Sequence, residues 1–228
     1  MTILFEGPFK NLEEITIKIL SAIELSDLLN LQNEALKHLS DSSSLQPLSE
    51  EEFMNIFDDK GIVLGVFKQQ ELIAFRALLK PVIDEEHLGL DIGLEKEELE
   101  QVMYQEVSVV HPNYRGHGLQ KTMGNYIMNE VDTEKYRYVC ATVAPFNIPS
   151  MKDKFDQGLQ IVDLKMKYGG LLRYIFLKDL NNKSRIKRTK KIIISMNDIE
   201  TQQHHLQTGW SGVNIVNENE EWKVILQK

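Results

Sequence analysis

The sequence predicts a mixed α/β fold, a sheet flanked by helices. Three observations predict it. Segments that alternate apolar and polar residues interleave with segments of helical period. Several strand pairs are separated only by short polar turns, as antiparallel hairpins are. One apolar strand, Val102–Val110, runs through a loop with two closely spaced glycines straight into an amphipathic helix.

In chain order, Ile15–Leu20 (ITIKIL) alternates and is a strand. A helix follows, with Ser26 as its N-cap and Leu28, Leu29, Leu31, Ala35 and Leu39 at helical spacing. Ser40–Ser44 is a polar loop. Ser49 opens a second helix. Glu50, Glu51 and Glu52 occupy its first turn, where the helix dipole favours negative charge, and Phe53, Ile56 and Phe57 form its apolar face. Ile62–Phe67 and Leu72–Leu79 form a hairpin around Lys68–Glu71, and Pro81 ends it. After the glycine loop, Leu119, Met123, Ile127 and Val131 share one helix face. Tyr136–Val143 is a strand that Pro145 breaks. Asn147 or Pro149 opens a short helix through Phe155, and Gly158 closes it. Leu159–Met166 and Leu171–Leu177 form another hairpin across Lys167–Gly170. Beyond Leu180 a basic run leads to a strand at Ile192–Ile194. A helix capped by Asn197, with Glu200 three residues on, extends to about Thr208, where Gly209 closes it. Val213–Val216 and Trp222–Leu226 make a last hairpin, with Trp210 and Trp222 packing the tail. The expected organisation is one domain over residues 1–180 and a strand–helix–hairpin extension over 181–228.

Bulk properties narrow the function. A formal net charge of −8 over 228 residues argues against general nucleic-acid binding. The single cysteine, Cys140, excludes an internal disulfide and a cysteine-rich zinc site, which suits a reducing compartment. Cys140 lies mid-strand among apolar residues and reads as a core thiol. His204 and His205 are adjacent on a helix and face different sides, so no metal site is expected. The first residues, MTILFEGPFKNLEE, have no basic start followed by an apolar run, and no apolar run approaches the ~20 residues of a membrane span. A cytoplasmic protein without a membrane contact is therefore expected, and a homodimer is left open.

The loop carries the chemistry. Arg115, Gly116, His117 and Gly118 join strand to helix. The first amides of a helix have no intrahelical partner, the dipole there favours an anion, and glycines let a ligand approach the backbone. Arg115 and Lys121 add positive charge, so a diphosphate suits the nest. The GK[ST] ending of a Walker loop is missing, and so is the third glycine of a dinucleotide fingerprint.

The segment EVSVVHPNYRGHGLQKTMGNYI resembles the core motif of the GCN5-related N-acetyltransferase (GNAT) superfamily. That motif is Gln or Arg, two residues, Gly, one residue, then Gly or Ala. Arg115 and Gly118 match it, as do the lead-in Val110-His111-Pro112 and Tyr114, while Gln120 departs from the small final residue. A second likeness is Asn147-Ile148-Pro149-Ser150 followed by Gly158-Leu159. The resemblance covers roughly residues 12–180, including the order of elements.

It implies a central mixed, twisted sheet and acetyl-coenzyme A as co-substrate, bound in a cleft beside the family's fourth strand. By position, Ser108, Val109 and Val110 would pair with the pantetheine arm, and Asn147 and Ser150 would lie along it. Arg115, Gly116, His117, Gly118, Leu119, Gln120 and Lys121 would hold the pyrophosphate. The implied reaction is direct attack of a primary amine on the thioester. Such an amine must lose a proton, and Glu106, on the same strand, is the candidate general base; its alternatives are a solvent-facing strand residue or a carboxylate that only binds the amine. The tyrosine that many relatives carry in the helix after the asparagine is replaced here by Lys154, beside Phe155, so no acid for the thiolate is carried over. Tyr126, Tyr168 and Tyr174 read as structural.

The acceptor is not named by the motif. The acidic stretch Asp84–Glu100 reads either as a solvated insertion with a short helix near Lys96–Gln101, or as a wall that attracts a cationic amine. A polyamine, an aminoglycoside-like amine, a lysine or a protein N-terminus all fit. The basic run Lys183–Lys191 reads as a charged edge strand, or else as a contact for the coenzyme's 3′-phosphate or an acidic partner. The competing functional class is a non-catalytic sensor or interaction module that binds acetyl-coenzyme A or coenzyme A.

Overall fold

The computed structural model describes residues 2–39, 45–181 and 189–228. The expected loop at Ser40–Ser44 and most of the basic run after Leu180 lie outside the described residues. In chain order the elements are β1 (Ile3–Pro8), β2 (Glu14–Ile19), α1 (Leu25–Lys37), α2 (Glu50–Asn55), β3 (Gly61–Lys68) and β4 (Glu71–Leu79). There follow α3 (Leu88–Asp91), β5 (Val102–Val110), α4 (Leu119–Asn129), β6 (Tyr138–Val143) and α5 (Ile148–Asp156). The chain closes with β7 (Gln160–Lys167), β8 (Leu171–Asp179), β9 (Lys191–Ser195), α6 (Ile199–Gln207), β10 (Ser211–Glu218) and β11 (Glu221–Gln227). These elements divide into two compact units, residues 1–80 with 104–131 and residues 81–103 with 132–228.

In the first unit, β1 to β5 are antiparallel neighbours in sequence order. β1 is an addition to the sequence expectation. It contains Gly7 and Pro8, is largely exposed, and exists through its pairing with β2 (Phe5↔Ile17). Leu28, Leu31 and Ala35 of α1 and Phe53 of α2 bury against Val63, Phe75, Val107 and Val109 of the sheet. Phe53 meets Phe75 edge to face at 5.8 Å. The buried Gln32 amide bonds the Leu48 backbone twice, accepting from its N–H at 2.9 Å and donating to its carbonyl at 2.8 Å. That pair satisfies both backbone polar groups of Leu48 and pins the approach to α2 onto α1. Helix α4 packs on β3 and β4 through Leu119, Met123 and Ile127.

Two caps differ from the sequence reading. Ser26 lies inside α1. The chain instead turns at Ser21, whose N–H and hydroxyl both donate to Glu24 Oε2, at 3.0 and 3.1 Å. The Ser-x-x-Glu capping pattern is at Ser21, so the helical course starts earlier. At α6 the cap is Asp198, which accepts from the Thr201 N–H at 3.1 Å, and not Asn197. The box at Ser49 and Glu52 forms as read.

In the second unit the strand order is β6-β8-β7-β10-β11-β9. Residues of the tail, Ile194, Leu206, Ile215, Val224 and Leu226, share one core with Ala141, Val143, Ile161 and Phe176, and Trp210 and Trp222 pack against it. β10 joins β7 at Gly212↔Ile161, where a Cβ on Gly212 would lie 2.8 Å from Ile161 Cβ, so only glycine lets the two strands close. The acidic segment is only partly solvated. Asp84, Glu85, Glu95 and Glu97 are exposed, and the short turn over Lys96–Gln101 is present. Asp91, however, accepts ion pairs from Lys165 (2.7 Å) and the buried Lys167 (2.9 Å), and Glu86 pairs with Lys167 at 2.9 Å. Glu98 accepts from the Tyr138 hydroxyl at 3.0 Å, beside Arg137 and Asp179. These carboxylates fasten the segment to β6, β7 and β8. Among the described residues no helix is long and apolar enough to cross a membrane.

Candidate functional site

Strand β5 delivers the chain to the loop. The His111 N–H donates to the Ile73 carbonyl at 2.9 Å, closing the sheet, and Pro112 starts a single helical turn. The His111 ring accepts from the Asn113 N–H at 3.2 Å, and the Tyr114 hydroxyl donates to Glu71 at 3.4 Å, anchoring the loop to the β3–β4 turn. Gly116 (φ +83) and Gly118 (φ +77) then take the left-handed backbone that turns the chain into α4. Gly118 is the N-cap of α4 and has no side chain to satisfy the first amides. The N–H groups of Leu119 and Gln120 thus have no side-chain cap, which is the setting in which a helix start takes an anion. Arg115 is exposed beside them, and Lys121 is exposed on the first turn.

Glu106 is aimed by a β-bulge. The register runs Ala77↔Val107 and then Leu78↔Gln105, so Glu106 is the extra residue of β5. Gln105 is buried and bonds Met128 of α4, while Val107 joins the core under α1 and α2. Strict alternation would have put those two on one face; the bulge separates them and leaves Glu106 accessible to water. It is solvent-accessible and at the same time densely surrounded by protein. Desolvation there, with the Glu52 charge second, raises its carboxyl from 4.5 to about 7. Such a carboxyl exchanges protons with water and is half ionised near neutrality.

Asn147 caps α5, its side-chain oxygen accepting from the Ser150 N–H at 3.3 Å. This belongs to the second unit, and the geometry there is that of a helix cap. Lys154 is buried and pairs with Asp153 at 3.3 Å. Of the tyrosines, Tyr174 is buried and donates to Gln202 at 2.7 Å, and Tyr126 packs on Phe5. The Tyr168 hydroxyl lies 3.4 Å from that of Thr142. Cys140 is buried and its thiol is pushed up to about 12, mainly by burial, so it is not a nucleophile.

No protein-family model matches the chain, and no match was found among curated proteins. Solved structures do match. An N-acetyltransferase from Staphylococcus aureus Mu50 superposes with a TM-score of 0.56 at 15% identity, covering 73% of this chain and 99% of that one. The ribosomal-protein-S18-alanine N-acetyltransferase of Escherichia coli superposes with a TM-score of 0.55 at 14% identity, over 75% and 97%. A Streptococcus pneumoniae acetyltransferase of the GNAT family gives 0.54 at 15%, over 73% and 99%. The chain has the GNAT fold. The GNAT neighbours are matched over nearly their whole length, so the fold is complete and about a quarter of this chain is additional.

Two features of this GNAT fold were not read from the sequence. Lys10, in the β1–β2 turn, donates to the His117 carbonyl at 2.8 Å. A groove of about 780 Å³ opens beside His111, between α1 and the β3–β4 turn, with Asp27, Glu34 and Glu71 on its walls. Neither follows a local pattern. Lys10 is 107 residues from His117, and the groove joins two elements distant in sequence.

Proposed function

We propose that the protein is an acetyl-coenzyme A-dependent N-acetyltransferase, with residues 1–180 carrying the transferase and 181–228 an appendage that completes the second unit's core. The observation that carries this is the start of α4. A helix that begins on a left-handed glycine, uncapped and beside Arg115, follows a strand that bears a bulged glutamate. A Salmonella typhimurium neighbour assigned as an acetyltransferase was solved with its cofactor acetyl-CoA, at 12% identity and a TM-score of 0.56, which supports the same co-substrate.

On this reading the loop from Arg115 to Lys121 holds the pyrophosphate, on the amides of Gly116 to Gln120 with the Arg115 and Lys121 side chains beside them, and the backbone of Ser108–Val110 pairs with the pantetheine arm. Asn147 and Ser150 are assigned to that arm by the family resemblance. Acetyl-coenzyme A supplies the activated acyl group. Glu106 removes the proton of the incoming ammonium, directly or through water, so that the nitrogen lone pair can attack the carbonyl. The C–N bond forms and the C–S bond breaks; the nitrogen then sheds its second proton to water, and the leaving thiolate takes one from water, which leaves the amide and the free thiol. The acceptor is a primary amine. The net charge of −8 and the exposed carboxylates of the insertion support a cationic one through long-range attraction.

Thiol release from acetyl-coenzyme A against a panel of polyamines, aminoglycosides, lysine peptides and protein N-terminal peptides tests the proposal. Release with at least one amine, lost in Glu106→Gln, is expected. Tight coenzyme binding with no release from any amine would instead favour the sensor reading.

A further inference from the structure

The N-terminal hairpin brings to the loop a cation that the GNAT motif does not contain. Lys10 sits in the β1–β2 turn with positive φ (+49), a backbone that a lysine adopts rarely and at a cost. The turn is closed by Phe9 N–H to Glu13 carbonyl (2.8 Å) and Leu12 N–H to Phe9 carbonyl (3.0 Å). From there the Lys10 ammonium reaches the His117 carbonyl at 2.8 Å and also lies 5.2 Å from the centre of the Phe9 ring. It rests over the bare Cα of Gly118, in the volume that a Cβ at Gly118 would enter. Around Gly116, by contrast, a Cβ would meet nothing within 4 Å. The glycine that caps α4 thus has a cation beside it, delivered from the far end of the unit's sequence.

We propose that Lys10 is a ligand of the coenzyme's diphosphate. An ammonium has three donors, and the His117 carbonyl takes one. The others remain for an anion seated on the amides of Gly118 and the first turn of α4, where the helix dipole and the lysine act on the same charge. The hairpin that adds β1 to the fold therefore also adds a contact to the coenzyme site. This inference rests on the coenzyme reading above and extends it by one residue.

Calorimetric binding of coenzyme A, 3′-dephospho-coenzyme A and pantetheine to wild type, Lys10→Ala and Lys10→Gln, at low and moderate salt, tests it. Both variants should bind coenzyme A and its dephospho form about tenfold more weakly, with a shallower salt dependence, and pantetheine unchanged. Lys10→Gln keeps a donor for the His117 carbonyl but no charge. Full affinity in that variant would reduce Lys10 to a strap and overturn the proposal, as would wild-type affinity in Lys10→Ala. A loss confined to coenzyme A, sparing the dephospho form, would move Lys10 to the 3′-phosphate and overturn the diphosphate assignment. If wild type itself binds none of the three, the coenzyme reading fails first. Unchanged melting temperatures of the variants establish that the effect is on the ligand.

Discussion

The loop at the start of α4, in the first unit, and the ion-pair cluster around Lys167, in the second, use charge in opposite ways. In the second, cations and carboxylates face each other. Burial works to lower the Lys167 pKa, yet hydrogen bonds to Glu86 and Asp91 outweigh it and raise the pKa. Arg137 is likewise raised, first by its hydrogen bond to Asp179. In the first unit, Arg115 is exposed beside an uncapped helix start, and the charge that acts on Glu106 is another carboxylate. A charge already paired inside the chain holds structure together. A charge set beside uncapped amides, or pushed off its ordinary pKa by desolvation and then by a like charge, is available to a ligand or a reaction. The same residue types thus mark a fastening in one region and a candidate site in the other.

The largest effect should come from the fastening. Lys167→Met removes the buried cation that Asp91 and Glu86 share, leaving Asp91 with Lys165 alone, and should cost about 3 kcal/mol of stability. Denaturant unfolding measures it, and the folded fraction should bind coenzyme A as wild type does. A loss below about 1 kcal/mol would mean that water already relaxes the pair, and the contrast between the two regions would weaken.

The loop should behave the other way, with a large change in affinity and a small one in stability. Gly118→Val forces a β-branched residue to φ +77 and drives its Cβ into the Lys10 ammonium. About 1–2 kcal/mol of stability should go, and coenzyme affinity should fall about a hundredfold. Gly116→Val carries a similar backbone strain at φ +83 but points into open space, so its affinity should fall less than about tenfold. Equal losses in the two variants would show that loop strain, and not close approach at Gly118, controls binding.

What the sequence disclosed was local. The hairpin around Lys68–Glu71, the box at Ser49 and Glu52, and the Arg115–Gly118 pattern each lie within a few residues, where spacing fixes geometry. What it concealed depends on partners far away. β1 has a poor strand composition and is held by β2. Asp91 finds Lys165 74 residues on, so an acidic run that reads as solvated is partly fastened down. Glu106 was legible as a carboxylate on the right strand, but its direction depends on a bulge against β4 that alternation does not predict. Lys10 carries no motif at all. The Ser21–Glu24 box is the exception, a local signal that lies further from the apolar periodicity than Ser26 does.

The smallest effect tests the cause of the Glu106 shift. If Glu106 is the base, the rate should rise with pH through about 7 as its carboxyl ionises. An acceptor ammonium that loses its own proton would also raise the rate, so the profile alone does not identify Glu106. Glu52→Gln separates the two. Desolvation, the larger cause, stays, but the Glu52 charge goes, while a glutamine oxygen can still accept from the Ser49 N–H that Glu52 now holds at 2.7 Å. The inflection should move down by a few tenths of a pH unit, roughly the worth of one solvent-screened charge, whatever the acceptor. Stability gives an independent reading. A carboxyl raised from 4.5 to about 7 makes the folded state hold an extra proton between those values. Its contribution is full below about pH 4.5 and is lost as pH rises through about 7, so stability falls across that window. Glu106→Gln should flatten that fall and Glu52→Gln should shorten it from the alkaline side. An unmoved inflection in Glu52→Gln while the stability fall shortens would detach Glu106 from the rate, and no change in either would detach Glu106 from the α2 charge.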